Sequence, residues 1–207
     1  MPDVRPTSAR ARLLQATEDM LRETGMAGAG IKEIVARSEA PIGSLYHYFP
    51  GGKTQLVTES LRIHAAKLPR LMEHFFDGKK TAAAALRALF DTAAEGFERG
   101  GANKGCALGA VTLDLTSSDK EIRVVCRQAF DDWIATIAAH LPLSGDRSRQ
   151  SFAVLVVAAL EGAFILARAA RSGQPFRNAG EWLAATVSAN DRRRVRAGRS
   201  RTLRRRP

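Results

Sequence analysis

Apolar residues return every three or four positions along nearly the whole of this chain, and no long stretch alternates with a period of two. A helix keeps one face buried with a repeat of 3.6, whereas a half-buried strand needs a repeat of two. The spacing therefore predicts an all-α fold. Chain breakers divide it: Gly25, Pro41, the run Pro50-Gly51-Gly52, Gly100-Gly101, Ser117-Ser118, Pro142 and the Gly173/Pro175 pair. Between them we expect about nine helices, near 7–24, 31–38, 42–49, 53–76 (kinked at Pro69), 81–99, 107–116, 120–141, 147–172 and 178–188.

The first three are short and closely connected, and the later ones are long. We expect a three-helix unit over 7–64, a helical bundle over 65–189, and a basic, disordered tail over 190–207. Residues 191–207 hold nine arginines and a single acid, so they carry +8 of the chain's formal +11. With few apolar residues to offset ordering entropy, such a tail reads as solvated, and its charge can attract phosphates without sequence preference. The longest apolar run, 152–160, is followed by Glu161 and then Arg168, so no membrane span is expected. Only two cysteines, Cys106 and Cys126, are present, as suits a reducing compartment, and no apolar signal core follows the basic N-terminus. The expectation is a cytoplasmic, soluble protein.

On a wheel of 100° per residue, positions 42–49 place Leu45 and Phe49 together, flanked by Ile42, as the inward stripe. Gly43 and His47 point the other way, with Ser44 and Tyr46 at the margins. The outer face thus offers a small residue for close approach and three polar side chains that can bond phosphates or base edges. Lys53 adds a cation at the next helix start, where free amides already favour phosphate. Two short helices joined by a tight turn, the second with such a face, resemble a DNA-reading unit, here over about 30–49.

The segment IKEIVARSEAPIGSLYHYFPGGKTQL resembles the DNA-binding segment of the TetR family of regulators. Its APxGSLYxxFPxGK form is similar to the multidrug- and flavonoid-responsive subgroup, and GCALGAVTLDL resembles the sixth-helix motif of several members. The resemblance implies nine helices, a homodimer through the last two long helices, an effector cavity in the C-terminal domain, and double-stranded DNA as partner. By position it puts DNA contacts at Gly43, Ser44, Tyr46, His47 and Lys53, and at Ile42, where the family commonly has lysine. Ala29-Gly30 replaces the usual hydroxyl cap of the second helix. Glu39 takes a turn position usually held by glycine, where a left-handed backbone costs about 1–2 kcal/mol.

Other features have competing readings. Gly51-Gly52-Lys53-Thr54 lacks the earlier glycine and the strand of a phosphate-binding loop. Cys106 stands before a helix N-terminus beside Lys104, a setting that favours thiolate. The resemblance implies a cysteine that senses electrophiles in some members, but a buried apolar plug is the more ordinary reading. Cys126 lies on the apolar stripe Ile122, Cys126, Ala129, Trp133 and Ile137 and reads as core. Phe90, Phe97, Phe130 and Trp133, with Cys106, are the candidates for lining a small-molecule effector pocket. The histidines His64, His74 and His140 show no metal-ligand spacing and read as surface or cap residues, and no metal or cofactor is expected. The helix over 147–172 is apolar nearly all round from Phe152 to Leu160, with small residues Ala158, Ala159, Gly162 and Ala163, so it needs cover on two sides, as in a dimer. No GxSxG elbow, HExxH pair or acid–histidine constellation points to an enzyme. The reading is therefore a ligand-responsive, dimeric DNA-binding regulator released from a palindromic operator. The alternative is a helical ligand-binding or scaffold protein that has lost specific DNA binding.

Overall fold

The computed structural model describes residues 8–78 and 81–203, with backbone alone for 77–78 and 191–203. Among the described residues there are helices and no strand. The order is α1 Ala9–Gly28, α2 Ile31–Ser38, α3 Ile42–Tyr48, α4 Gly52–Ala65, α5 Lys67–Gly78, α6 Ala82–Arg99, α7 Ala107–Asp114, α8 Lys120–Ala139, α9 Asp146–Ala170 and α10 Gln174–Leu203. The helix expected over 53–76 is two, α4 and α5. The proline ring at 69 would meet the carbonyl of Ala65, four residues back, so the regular ladder stops there.

Two further bounds differ from the sequence reading. The last helix begins at Gln174 because Pro175 sits in its first turn, where a missing N–H costs nothing. It also runs past 190 to Leu203, where a disordered tail was expected. Arginine and alanine are good helix formers, and extending an existing helix avoids the cost of nucleation. Residues 204–207 and the arginine side chains of the tail lie outside the described residues.

The chain forms two compact units, the first made of 1–68 with 103–131 and the second of 69–102 with 132–207. In the first, α1 is capped by Ser8, whose Oγ accepts from Ala11 N at 3.2 Å. Its apolar face (Leu13, Leu14, Ala16, Met20, Leu21) is buried, and α2, α3, α4 and α7 all pack on α1. In the second, α6 and α9 pack on α10. Phe176 lies 4.8 Å edge-on to Phe164 and 5.9 Å from Phe97, and Gly180 lets α10 approach Phe90 so closely that a Cβ would come within 2.7 Å. Glu98 ties the α9–α10 turn, accepting from Gly173 N at 2.9 Å and from both ends of the Arg177 guanidinium.

By length and composition α9, with a mean hydropathy of 2.0, could cross a membrane, although Glu161 and Arg168 interrupt it. Its two faces are unlike. Ala153, Val156, Val157, Leu160, Ala163 and Ala167 are buried in the second unit, while Val154, Leu155, Ile165 and Leu166 are exposed around Ala158 and Gly162. Ala163, one of the small residues that the sequence assigns to a partner face, belongs to the core.

Candidate nucleic-acid interface

The helix-turn-helix is built from burial outward. Leu45 and Phe49 are fully buried and fix the inward side of α3, as the wheel requires. Ile42 does not join them. It is 51% exposed and lies on the outer side with Gly43, Tyr46 and His47. Ser44 is half-buried. A Cβ at Gly43 would meet nothing within 4 Å, so the glycine leaves open space for another molecule's surface. The His47 ring stands edge-on to Tyr48 at 4.8 Å, which restrains the imidazole. Tyr48 is itself exposed. Sequence reasoning assigned it to neither face.

The turn between α2 and α3 carries the expected strain. Glu39 adopts φ 50°, ψ 31°, the left-handed region. Arg12 of α1 braces it, donating Nε to Ser38 O at 3.0 Å and Nη2 to Glu39 O at 3.4 Å. Nearby, Arg10 lies over the Phe49 ring at 5.5 Å and pairs with Glu59. Arg37 of α2 makes a bidentate pair with Glu23 at 2.6 and 2.8 Å, which lowers the Glu23 carboxyl and raises the guanidinium. Gly30 caps α2 without a side-chain bond, while Ala29 is buried in place of the usual hydroxyl residue.

Lys53 departs from a simple phosphate ligand. Its Nζ donates to Met26 O at 2.9 Å, which ties the first turn of α4 to the end of α1.

The same unit holds a cluster that the sequence scattered over 88 positions or fewer of its chain. Cys106 caps α7 and is buried, with its Sγ 3.7 Å from His64 Nε2. His64 Nδ1 lies 3.0 Å from Glu18 Oε1. A carboxylate can only accept, so Nδ1 is the donor, and Nε2 is the ring nitrogen that faces the thiol. Burial alone would raise the Glu18 carboxyl, but hydrogen bonds and charge from His64 and Lys67 outweigh it and hold it at about 2. His64 is thus neither a surface nor a cap residue, contrary to the sequence reading. Cys126 is core as expected, and burial pushes its thiol up.

The five effector-pocket candidates divide between the units. Cys106 and Phe130 fall in the first, and Phe90, Phe97 and Trp133 in the second, where Phe90 and Phe97 pack against α10.

Comparison with known proteins agrees with this geometry. Residues 13–59 match the pattern of bacterial regulatory proteins of the tetR family, and residues 82–182 that of the LmrA/YxaF-like regulator C-terminal domain. An HTH-type transcriptional regulator of Mycobacterium tuberculosis is 31% identical over 174 residues, covering 80% of this chain and 87% of its own. This chain belongs to the TetR family of transcriptional regulators. The HTH-type transcriptional repressor NemR of Escherichia coli is 26% identical over 181 residues, covering 82% of this chain and 89% of its own. A cysteine-substituted form of the TetR-family regulator CifR, solved with double-strand operator DNA, superposes with a TM-score of 0.74 at 19% identity, over 89% of this chain and 98% of that one. In TetR-family terms, 103–131 lies in the segment matched to the C-terminal domain yet folds with the DNA-reading unit.

Proposed function

We propose that this TetR-family regulator is a cytoplasmic repressor that holds a near-palindromic operator as a homodimer and leaves it when a small effector binds. The observation that carries the reading is the outer face of α3, where Tyr46 is 55% exposed and His47 and Gly43 also face out, opposite a fully buried Leu45 and Phe49. Ile42, Gly43, Ser44, Tyr46 and His47 would meet the major groove and its phosphates, with Lys53 at the groove's edge. The exposed stripe of α9, Val154, Leu155, Ala158, Gly162, Ile165 and Leu166, and the exposed Trp182 of α10 give the dimer face. A two-fold pair would set its α3 helices about 34 Å apart, one helical turn of DNA. The test is selection of genomic fragments by the purified protein followed by footprinting. A pair of protected half-sites is expected, and uniform, sequence-blind binding would favour a scaffold protein instead.

The effector has two readings. A non-covalent ligand would be received in the aromatic core of the second unit, where Phe90, Phe97 and Trp133 are buried. A thiol-reactive effector would act at Cys106, and the contact Cys106–His64–Glu18 favours this second reading. A base that is itself oriented by a buried carboxylate is the arrangement that activates a nucleophile.

A further inference from the structure

The link between α1 and α2 is gripped from two sides. Gly25 breaks α1 with φ 70°, ψ −168°, and the chain restarts with one turn over 26–28 before Gly30 opens α2. Asp114, the last residue of α7, reaches across 87 and 88 positions of sequence to this restart. Its Oδ2 accepts from Met26 N at 2.7 Å and from Ala27 N at 3.1 Å. Lys53 holds the carbonyl of the same residue, Met26. The carboxylate acts as the cap of the new turn, supplied by a different helix, and such charge-assisted bonds are about twice as strong as neutral ones. Gly25 is needed twice over, for its positive φ and because a Cβ there would come 2.4 Å from Asp114 Oδ2. At its other end, α7 is fastened to α1 by a reciprocal pair, Gly105 N to Arg22 O at 2.8 Å and Arg22 Nε to Gly105 O at 3.0 Å.

We infer that Asp114 is a positioning residue for operator recognition. It touches no DNA in this scheme. It fixes the 25–30 strap from which α2 and then α3 take their orientation, and it places that orientation under the control of α7. The inference rests on the operator-binding reading above. A helix of eight residues is short and stiff, so a signal that displaces α7 at Cys106 moves Asp114 at its far end. An open cleft of about 330 Å³, lined by Met26, Ala27, Lys53, Asp114 and Asp119 among others, lies beside the strap. Water can therefore replace a lost carboxylate, and removing Asp114 costs orientation more than folding.

The test compares Asp114→Ala and Asp114→Asn with the wild-type full-length protein, well below the melting temperature of each. Three quantities are read: operator affinity, its salt dependence, and amide exchange at Met26 and Ala27. The alanine variant should bind operator at least tenfold more weakly, with the salt slope unchanged because no phosphate contact is lost. Nonspecific binding should stay as it was, and both amides should exchange faster. Asparagine, which keeps a neutral acceptor, should recover part of the affinity and protection. Gly25→Ala should reproduce the alanine phenotype and add little to it in the double variant. Unchanged operator affinity in a folded Asp114→Ala protein would overturn the proposal, as would a loss of affinity accompanied by a reduced salt slope. Should Asp114→Ala not fold, Asp114→Asn and Gly25→Ala decide by the same readouts. A wild-type protein that selects no operator would defeat the operator reading itself, a result separate from these.

Discussion

Replacing Glu39 with glycine separates backbone strain from charge at the recognition turn. Glu39 sits at φ 50°, ψ 31°, a conformation that costs a residue with a Cβ about 1–2 kcal/mol. Glycine removes that cost but loses more freedom on folding, which takes back about 0.4–1 kcal/mol. Two of the bonds that brace the turn go to backbone atoms, Ser38 O and Glu39 O, both accepting from Arg12, and glycine keeps them. Relative to Glu39→Ala, which loses the same side chain, the gain should be about 0.5–1 kcal/mol, or roughly 2–4 °C in Tm for each kcal/mol at this chain length. Urea and thermal melts of Glu39→Gly beside Glu39→Ala measure it. Alanine keeps the Cβ, so it should give no such gain. Both variants remove a carboxylate from the DNA-facing turn, so both should bind operator more tightly, by a margin that narrows as salt screens the repulsion. A glycine variant no more stable than the alanine one would refute the claim that the turn stores strain.

Three other outcomes follow from the same structure. Gly162→Arg places an unpaired charge in the middle of the exposed α9 stripe and should give monomer or aggregate in sedimentation, since burying it in a packed interface costs several kcal/mol; a full-affinity dimer would move the interface off α9. In the folded protein Cys106 should react with a small thiol probe faster than the buried, raised-pKa Cys126, His64→Gln should slow it, and modification should release operator DNA; equal, slow labelling of both thiols returns Cys106 to the core. Glu18, held at about 2 against an ordinary 4.5, contributes stability that is complete above about pH 4.5 and is lost as pH falls toward 2. The size of the shift bounds this at about 3 kcal/mol, less what solvent takes at the half-exposed Lys67 ammonium. The stability difference between wild type and Glu18→Gln should therefore shrink on acidification, whereas parallel pH curves would dissolve the cluster.

Local pattern made much of this molecule legible. The inward pair Leu45 and Phe49, the core stripe from Ile122 to Ile137, and the strained turn at Glu39 all follow from period, volume and glycine chemistry, which act within a few residues. What escaped depends on contacts between distant segments. His64 read as a surface residue because its partners, Glu18 and Cys106, lie 46 and 42 positions away. Asp114 went unremarked inside GCALGAVTLDL because nothing near it shows that it caps Met26 and Ala27. A faint signal was present in Gly25: a glycine that ends one helix just before the next segment resumes needs something to hold the restart. The inward placing of Ile42 failed for a different reason. A seven-residue helix has room for a single buried stripe, and Leu45 and Phe49 fill it.

The central claim is that the outer face of α3 reads operator DNA, and the double variant Tyr46→Ala/His47→Ala tests it most directly. Both side chains are exposed, so the variant should keep its helicity, melting temperature and dimer mass. On the operator selected by the wild-type protein, it should leave no footprint and retain only salt-sensitive, sequence-blind binding. A footprint equal to that of the wild type, from a variant of unchanged fold, would contradict the account and place DNA recognition on another surface.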